Sequence, residues 1–276
     1  MRTWLKAGAG VIGAALLLAA GAGGAILWAG SEQLTKDHGA LPEMVAGGPG
    51  DAALGARLVG VYGCNGCHGK ALTGDDFYGV VAPNLRRRSR EWAREDFARA
   101  VRQGLRPDGT SISWAMPTEM FAAMADNEIA AIHAHLRTLP AADDAEAVTL
   151  KHRLFKVWAA ATGELIPNVV LVRATDAGPA VAPAPGTPQW GPYFTRLACA
   201  ECHNHGLGGY GSDTPALADV IAVYDWPSFE RLTTTGVPHD GRKLRLMGSV
   251  GRERLSHMTA AERRALYDYL KSLSQP

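Results

Sequence analysis

The chain has 276 residues, with 28 lysines and arginines against 27 aspartates and glutamates, for a formal charge of +1. A balance this even gives no electrostatic reason to expect nucleic acid or an acidic polymer as partner, and the length allows two small domains.

Ala7 to Gly30 is an uncharged, Ala/Gly/Leu-rich stretch. As a helix its 24 residues would rise about 36 Å, enough to cross a bilayer. Arg2 and Lys6 precede it and Glu32 follows, so the positive-inside rule puts the N-terminus in the cytoplasm and the rest outside. Trp4 and Trp28 flank it as an aromatic belt would. The competing reading is a cleaved signal peptide, for which Ala19 to Ala25 offers small residues. Length and the tryptophans favour a retained anchor over residues 1–30, and either reading exports the bulk of the chain. Residues 31–50, rich in Gly and Pro, are expected to form a tether.

Next comes Cys64-Asn65-Gly66-Cys67-His68, and much later Cys199-Ala200-Glu201-Cys202-His203. Both are C-x-x-C-H, the attachment signature of a covalent haem: two thiols bind one porphyrin and the adjacent imidazole ligates its iron. A thioredoxin-type dithiol would need a strand-like flank, and a zinc ribbon would need the cysteine pairs roughly 15–20 residues apart. Neither condition is met. The two motifs use all four cysteines, so two covalently bound haem c groups are expected and no disulfide.

Alignment of the two regions on their cysteines brings Pro83 into step with Pro215, Trp92 with Trp226, Phe97 with Phe229, Gly104 with Gly236, and Met124 with Met258. Each region ends in a segment of helical periodicity, Ile129, Ile132, Leu136 and Leu139 in the first, stopped by Pro140, and Leu266, Tyr269, Leu270 and Leu273 in the second. Thr259 with Glu262 reads as a capping box. Strand signals are nearly absent. Between the regions, Ala180 to Pro188 is Pro/Ala-rich and expected to be extended and semi-rigid, and Leu150 to Trp158 carries apolar and basic residues.

Each region resembles a class I cytochrome c domain: a helix into C-x-x-C-H, a proline loop, a central helical region, a methionine loop and a C-terminal helix. The resemblance covers about 180 of the 276 residues. It implies an all-α fold, an N-terminal transmembrane helix followed by two cytochrome c domains, at residues 51–140 and 190–276 with a linker at 141–189. The carbonyls of Pro83 and Pro215 are, by the same resemblance, the acceptors for the proximal imidazoles of His68 and His203.

The second axial position decides between electron transfer and chemistry at iron. Met116, followed by Pro117, stands 48 residues after His68, where the family places its ligand. Met120 and Met124 read as core packing. In the second region Met247 lies 44 residues after His203, but glycine follows it instead of proline, and His205, His239, His257 and Met258 remain competitors. Met/His ligation raises the potential, and two filled axial positions block substrate.

The resulting expectation is a membrane-anchored dihaem c-type cytochrome of the cytoplasmic membrane, with its haem domains in the periplasm. It would relay single electrons between redox proteins such as a dehydrogenase, an oxidase or a soluble cytochrome. It is similar in outline to cytochrome subunits of membrane-bound periplasmic dehydrogenases. The alternative is a dihaem enzyme, of peroxidase or thiosulfate-oxidising type, with one open or labile haem.

Overall fold

The computed structural model describes residues 2–39, 48–77, 79–113, 115–142, 148–172, 178–211 and 213–274, with side chains from Ile12 onward. Residues 40–47 of the expected tether, and the side chains of Arg2, Trp4 and Lys6, lie outside the described part.

The first element, α1, spans Arg2–Thr35. Its stretch from Ile12 to Thr35 is long and apolar enough to cross a membrane, and Leu16, Leu17 and Leu18 all face outward. The helix runs five residues past Gly30, because Ser31 to Gln33 contain no breaker and continue its hydrogen-bond ladder. Beyond it, His38 N donates to the Gly109 carbonyl over 3.0 Å and Asp37 bridges Thr110. Part of the segment expected as a tether is therefore stitched to the first haem region.

That region comprises α2 (Ala52–Val61), α3 (Cys64–Cys67), α4 (Leu85–Glu91), α5 (Arg94–Gln103), α6 (Thr118–Phe121) and α7 (Asp126–Thr138). Asp51 caps α2 by accepting from the backbone N–H groups of Ala53 and Leu54. A short antiparallel hairpin, β1 (Asp75–Phe77) and β2 (Val80–Ala82), interrupts the helices. The connecting segment forms α8 (Leu150–Ala161). The second region repeats the order with α9 (Trp190–Ala198), α10 (Ala200–His203), α11 (Leu217–Ala222), α12 (Trp226–Thr235), α13 (Leu246–Glu253) and α14 (Ala260–Leu273). Where the first region has its hairpin, the second has a bridge between Tyr210 and Thr214. The fold is all-α.

In both regions the helix before the cysteines crosses the C-terminal helix at a glycine. A Cβ on Gly55 of α2 would stand 2.0 Å from the Ala131 carbonyl oxygen of α7, and one on Gly191 of α9 would stand 2.2 Å from the Tyr269 ring of α14. Only glycine admits crossings this close. The central helices α5 and α12 also end alike, on Gly104 and Gly236 in the left-handed conformation.

The two regions share one continuous core, in which Leu58, Tyr62, Phe97, Met124 and Leu136 are joined to Trp190, Phe194, Phe229, Met258 and Leu266. Domains of this size bury little alone, and a common core offsets that deficit. Polar contacts cross the seam as well. Arg57 pairs with Glu262 at 2.7 Å, and the buried Glu128 carboxylate accepts from Tyr62 at 2.9 Å and from Tyr193 of the other region. The His257 ring lies against Gly60, where a Cβ would approach it to 2.5 Å.

Candidate haem sites

Each cysteine motif is wound into one helical turn, closed by His68 N donating to the Cys64 carbonyl over 3.0 Å and His203 N to the Cys199 carbonyl over 2.9 Å. This turn brings the two sulfurs and the imidazole of each motif together. Gly63, left-handed at φ 72°, turns the chain from α2 into the first motif.

The loops that follow are superimposable in their hydrogen bonds. Gly74 N donates to the His68 carbonyl and Gly209 N to the His203 carbonyl, each over 2.9 Å. Leu85 N donates to Leu72, and Leu217 N to Leu207. Leu72 and Leu207 both hold φ near 60°, at 59° and 58°. A left-handed leucine costs about 1–2 kcal/mol. Its occurrence twice at one station indicates that the loop geometry is imposed by the site it encloses.

These loops deliver the prolines. His68 Nδ1 and His203 Nδ1 each donate to a proline carbonyl, Pro83 and Pro215 respectively, over 2.8 Å. A carbonyl only accepts, so the proton sits on Nδ1 and each Nε2 keeps its lone pair for a metal. Burial of His68 holds its pKa below the ordinary imidazole value, which preserves the neutral ligand form.

Burial pushes the Cys64 thiol up to about 11 and the Cys199 thiol to about 12, with Arg254 pulling both back. Such surroundings disfavour a thiolate but suit a sulfur bonded to carbon, which carries no charge. The residues therefore fit one haem c per region. Arg254 lies between the two motifs, against Gly63 at the entrance to the first and Glu201 within the second. Its guanidinium donates to the Tyr62 carbonyl over 3.2 Å and faces the Glu201 carboxylate at 3.5 Å.

Met116 is half-buried against the core in the loop before α6, and its carbonyl accepts from Thr118 N over 2.7 Å. Met247, in the first turn of α13, packs against the same core. Met120, Met124 and Met258 are buried in the core. Among the competing imidazoles, His257 lies in the seam and His239 packs edge-on against the Tyr224 ring at 4.9 Å. The basic run Arg86 to Arg90 is largely engaged internally: Arg88 and Arg87 pair with Glu91, and Arg90 donates to the Arg86 carbonyl.

Three features of the sites carry no sequence motif: the glycine crossings, the seam residue Arg254, and Asn168. Asn168 is buried and approaches the methionine loop from the connecting segment.

Two family models match the chain. Residues 50–136 match cytochrome c oxidase, cbb3-type, subunit III, and residues 193–274 match cytochrome c. Together they cover more than half of the sequence. A curated relative, described as diheme cytochrome c-type, from Cereibacter sphaeroides, is 31% identical over 153 residues, 49% of this chain and 49% of the relative. The chain thus spans about half the length of the curated relative it matches. Two cytochrome c-type domains and two C-x-x-C-H turns make this chain a dihaem cytochrome c, with two covalently bound haem c groups.

Proposed function

We propose that the protein is a membrane-tethered relay, taking single electrons from one redox protein and delivering them to another on the periplasmic side of the cytoplasmic membrane. Haem iron supplies the one-electron chemistry. In this reading Cys64, Cys67, Cys199 and Cys202 hold the porphyrins, His68 and His203 are the proximal ligands, and Met116 and Met247 fill the sixth positions. Residues 1–30 are the anchor, 31–50 the connection to it, 51–140 and 190–276 the two haem domains, and 141–189 the linker. Donor and acceptor are expected among dehydrogenases, oxidases and soluble cytochromes.

The observation that carries the reading is the shared seam. One residue, Arg254, touches both motif regions through the Tyr62 carbonyl and the Glu201 carboxylate, and the cores behind them are continuous. Two centres held by one rigid core allow entry at one domain and exit at the other, while a tether keeps membrane partners at high local concentration.

Potentiometric titration of the purified full chain, combined with carbon monoxide binding to its reduced form, tests this. The expected outcome is two one-electron steps and no rapid binding at either haem. Rapid binding at one haem together with peroxide turnover contradicts it. The enzyme reading is favoured by one asymmetry: the segment leading to Met247, from His239 to Lys243, is exposed throughout, whereas Thr110 to Ser113, on the way to Met116, are half-buried. Met247→Ala separates the two cases. A ligating Met247 predicts a lowered second potential and an opened haem, and an unchanged spectrum reassigns the ligand.

A further inference from the structure

The apolar face of α8 faces away from the protein. Leu150, Leu154 and Trp158, at i, i+4 and i+8, are 70%, 48% and 47% exposed, and Phe155 beside them completes an open apolar cleft. Lys151 and Arg153 stand exposed on the same helix, which contains no acidic residue. The other sides of the helix are fixed. Ala159 and Ala160 are buried, and a Cβ on Gly30 of α1 would meet the Val157 carbonyl oxygen at 2.0 Å.

The end of α1 meets the second half of α8 and the turn after it: Gly30 meets Val157, and Gln33 Nε2 donates to the Leu165 carbonyl over 3.4 Å. The stripe of α8 therefore lies close to the end of the apolar stretch of α1, where Ile26, Leu27 and Trp28 are themselves exposed. An exposed stripe of Leu, Phe and Trp flanked by cations is the composition of a helix seated at a membrane surface.

We infer that α8 is an interfacial helix, with its Leu150–Leu154–Trp158 stripe in the outer boundary of a bilayer and Lys151 and Arg153 on anionic phospholipid headgroups. The inference rests on the reading of α1 as a membrane span. Its consequence reaches the first haem site. The Phe155 ring supports Gly79 of the hairpin turn, a Cβ there standing 3.3 Å away, and His152 pairs with Asp76 of β1 at 3.0 Å. The hairpin leads directly into Pro83, the acceptor for His68. A seated α8 would hold the first haem domain at the membrane and leave the second outward.

The test is lipid-phase photolabelling of the full-length holoprotein in vesicles of phosphatidylcholine and phosphatidylglycerol that contain a carbene-generating lipid, with labelled peptides mapped by mass spectrometry. Label on both α1 and residues 150–161, lost from α8 alone in Leu154→Glu/Trp158→Glu, supports the inference. Label on α1 with none on α8 overturns it, assigns the face to a protein partner and leaves the anchor intact. Absence of label from α1 overturns the anchor reading and the inference with it. Equal labelling of α8 in vesicles lacking phosphatidylglycerol overturns the headgroup assignment.

Discussion

Asn168 holds the loop that carries Met116: its Nδ2 amide donates to the Met116 carbonyl oxygen over 2.7 Å. The same amide lies 2.9 Å from the Ser113 carbonyl and 2.8 Å from the Thr118 hydroxyl. Asn168→Ala leaves these buried acceptors without their donor, at a cost of about 1–3 kcal/mol. The expected result is a lowered first-haem potential and carbon monoxide binding there, with the second haem unchanged. Redox titration with ligand-binding spectra checks this. A stability loss with both potentials intact would limit Asn168 to packing.

Arg254 lies between the motifs with one positive charge, and a cation near iron favours the reduced state. Arg254→Gln should lower both haem potentials, by tens of millivolts, the size one unit charge gives over roughly 10 Å of protein. A shift at a single haem would contradict its placement between the two.

Glu128 gives the seam a pH dependence. Burial raises its pKa above the ordinary value of 4.5, while Tyr193, Tyr62 and Arg57 oppose the shift and Glu262 adds to it. The folded state therefore retains a proton that the unfolded chain has released. The contribution is full below about the ordinary glutamate value and declines as pH rises through the elevated one. Glu128→Gln, which can still engage both tyrosine hydroxyls, should flatten this part of the stability profile. Denaturant midpoints compared between the two proteins from pH 4 upward provide the measurement.

At the second helix crossing, Gly191→Val drives a branched side chain into the Tyr269 ring. Overpacking of this kind costs about 1–3 kcal/mol. The melting temperature should fall with both potentials retained.

Much of this architecture is legible in the sequence because its determinants are local. The cysteine motifs, the spacing from histidine to proline and the capping box at Thr259 each lie within a few residues to a few turns. The hairpin at Asp75 to Ala82 was hidden, since two three-residue strands are too short to show an alternating pattern. The extension of α1 to Thr35 lacked a stop signal to read. Asn168, Arg254 and the glycines at 55 and 191 act through partners distant in the chain, and only the assembled fold brings them together. Leu72 and Leu207 are equally silent, because leucine gives no indication of left-handed backbone.

The most direct test is the mass of the purified full chain after extraction in acidic organic solvent, set beside its haem-to-protein ratio. The account predicts that the colour stays with the polypeptide, that the mass carries two added haems, and that Cys199→Ser/Cys202→Ser removes one of them. Pigment released into the solvent, or a chain bearing fewer than two haems, would contradict it.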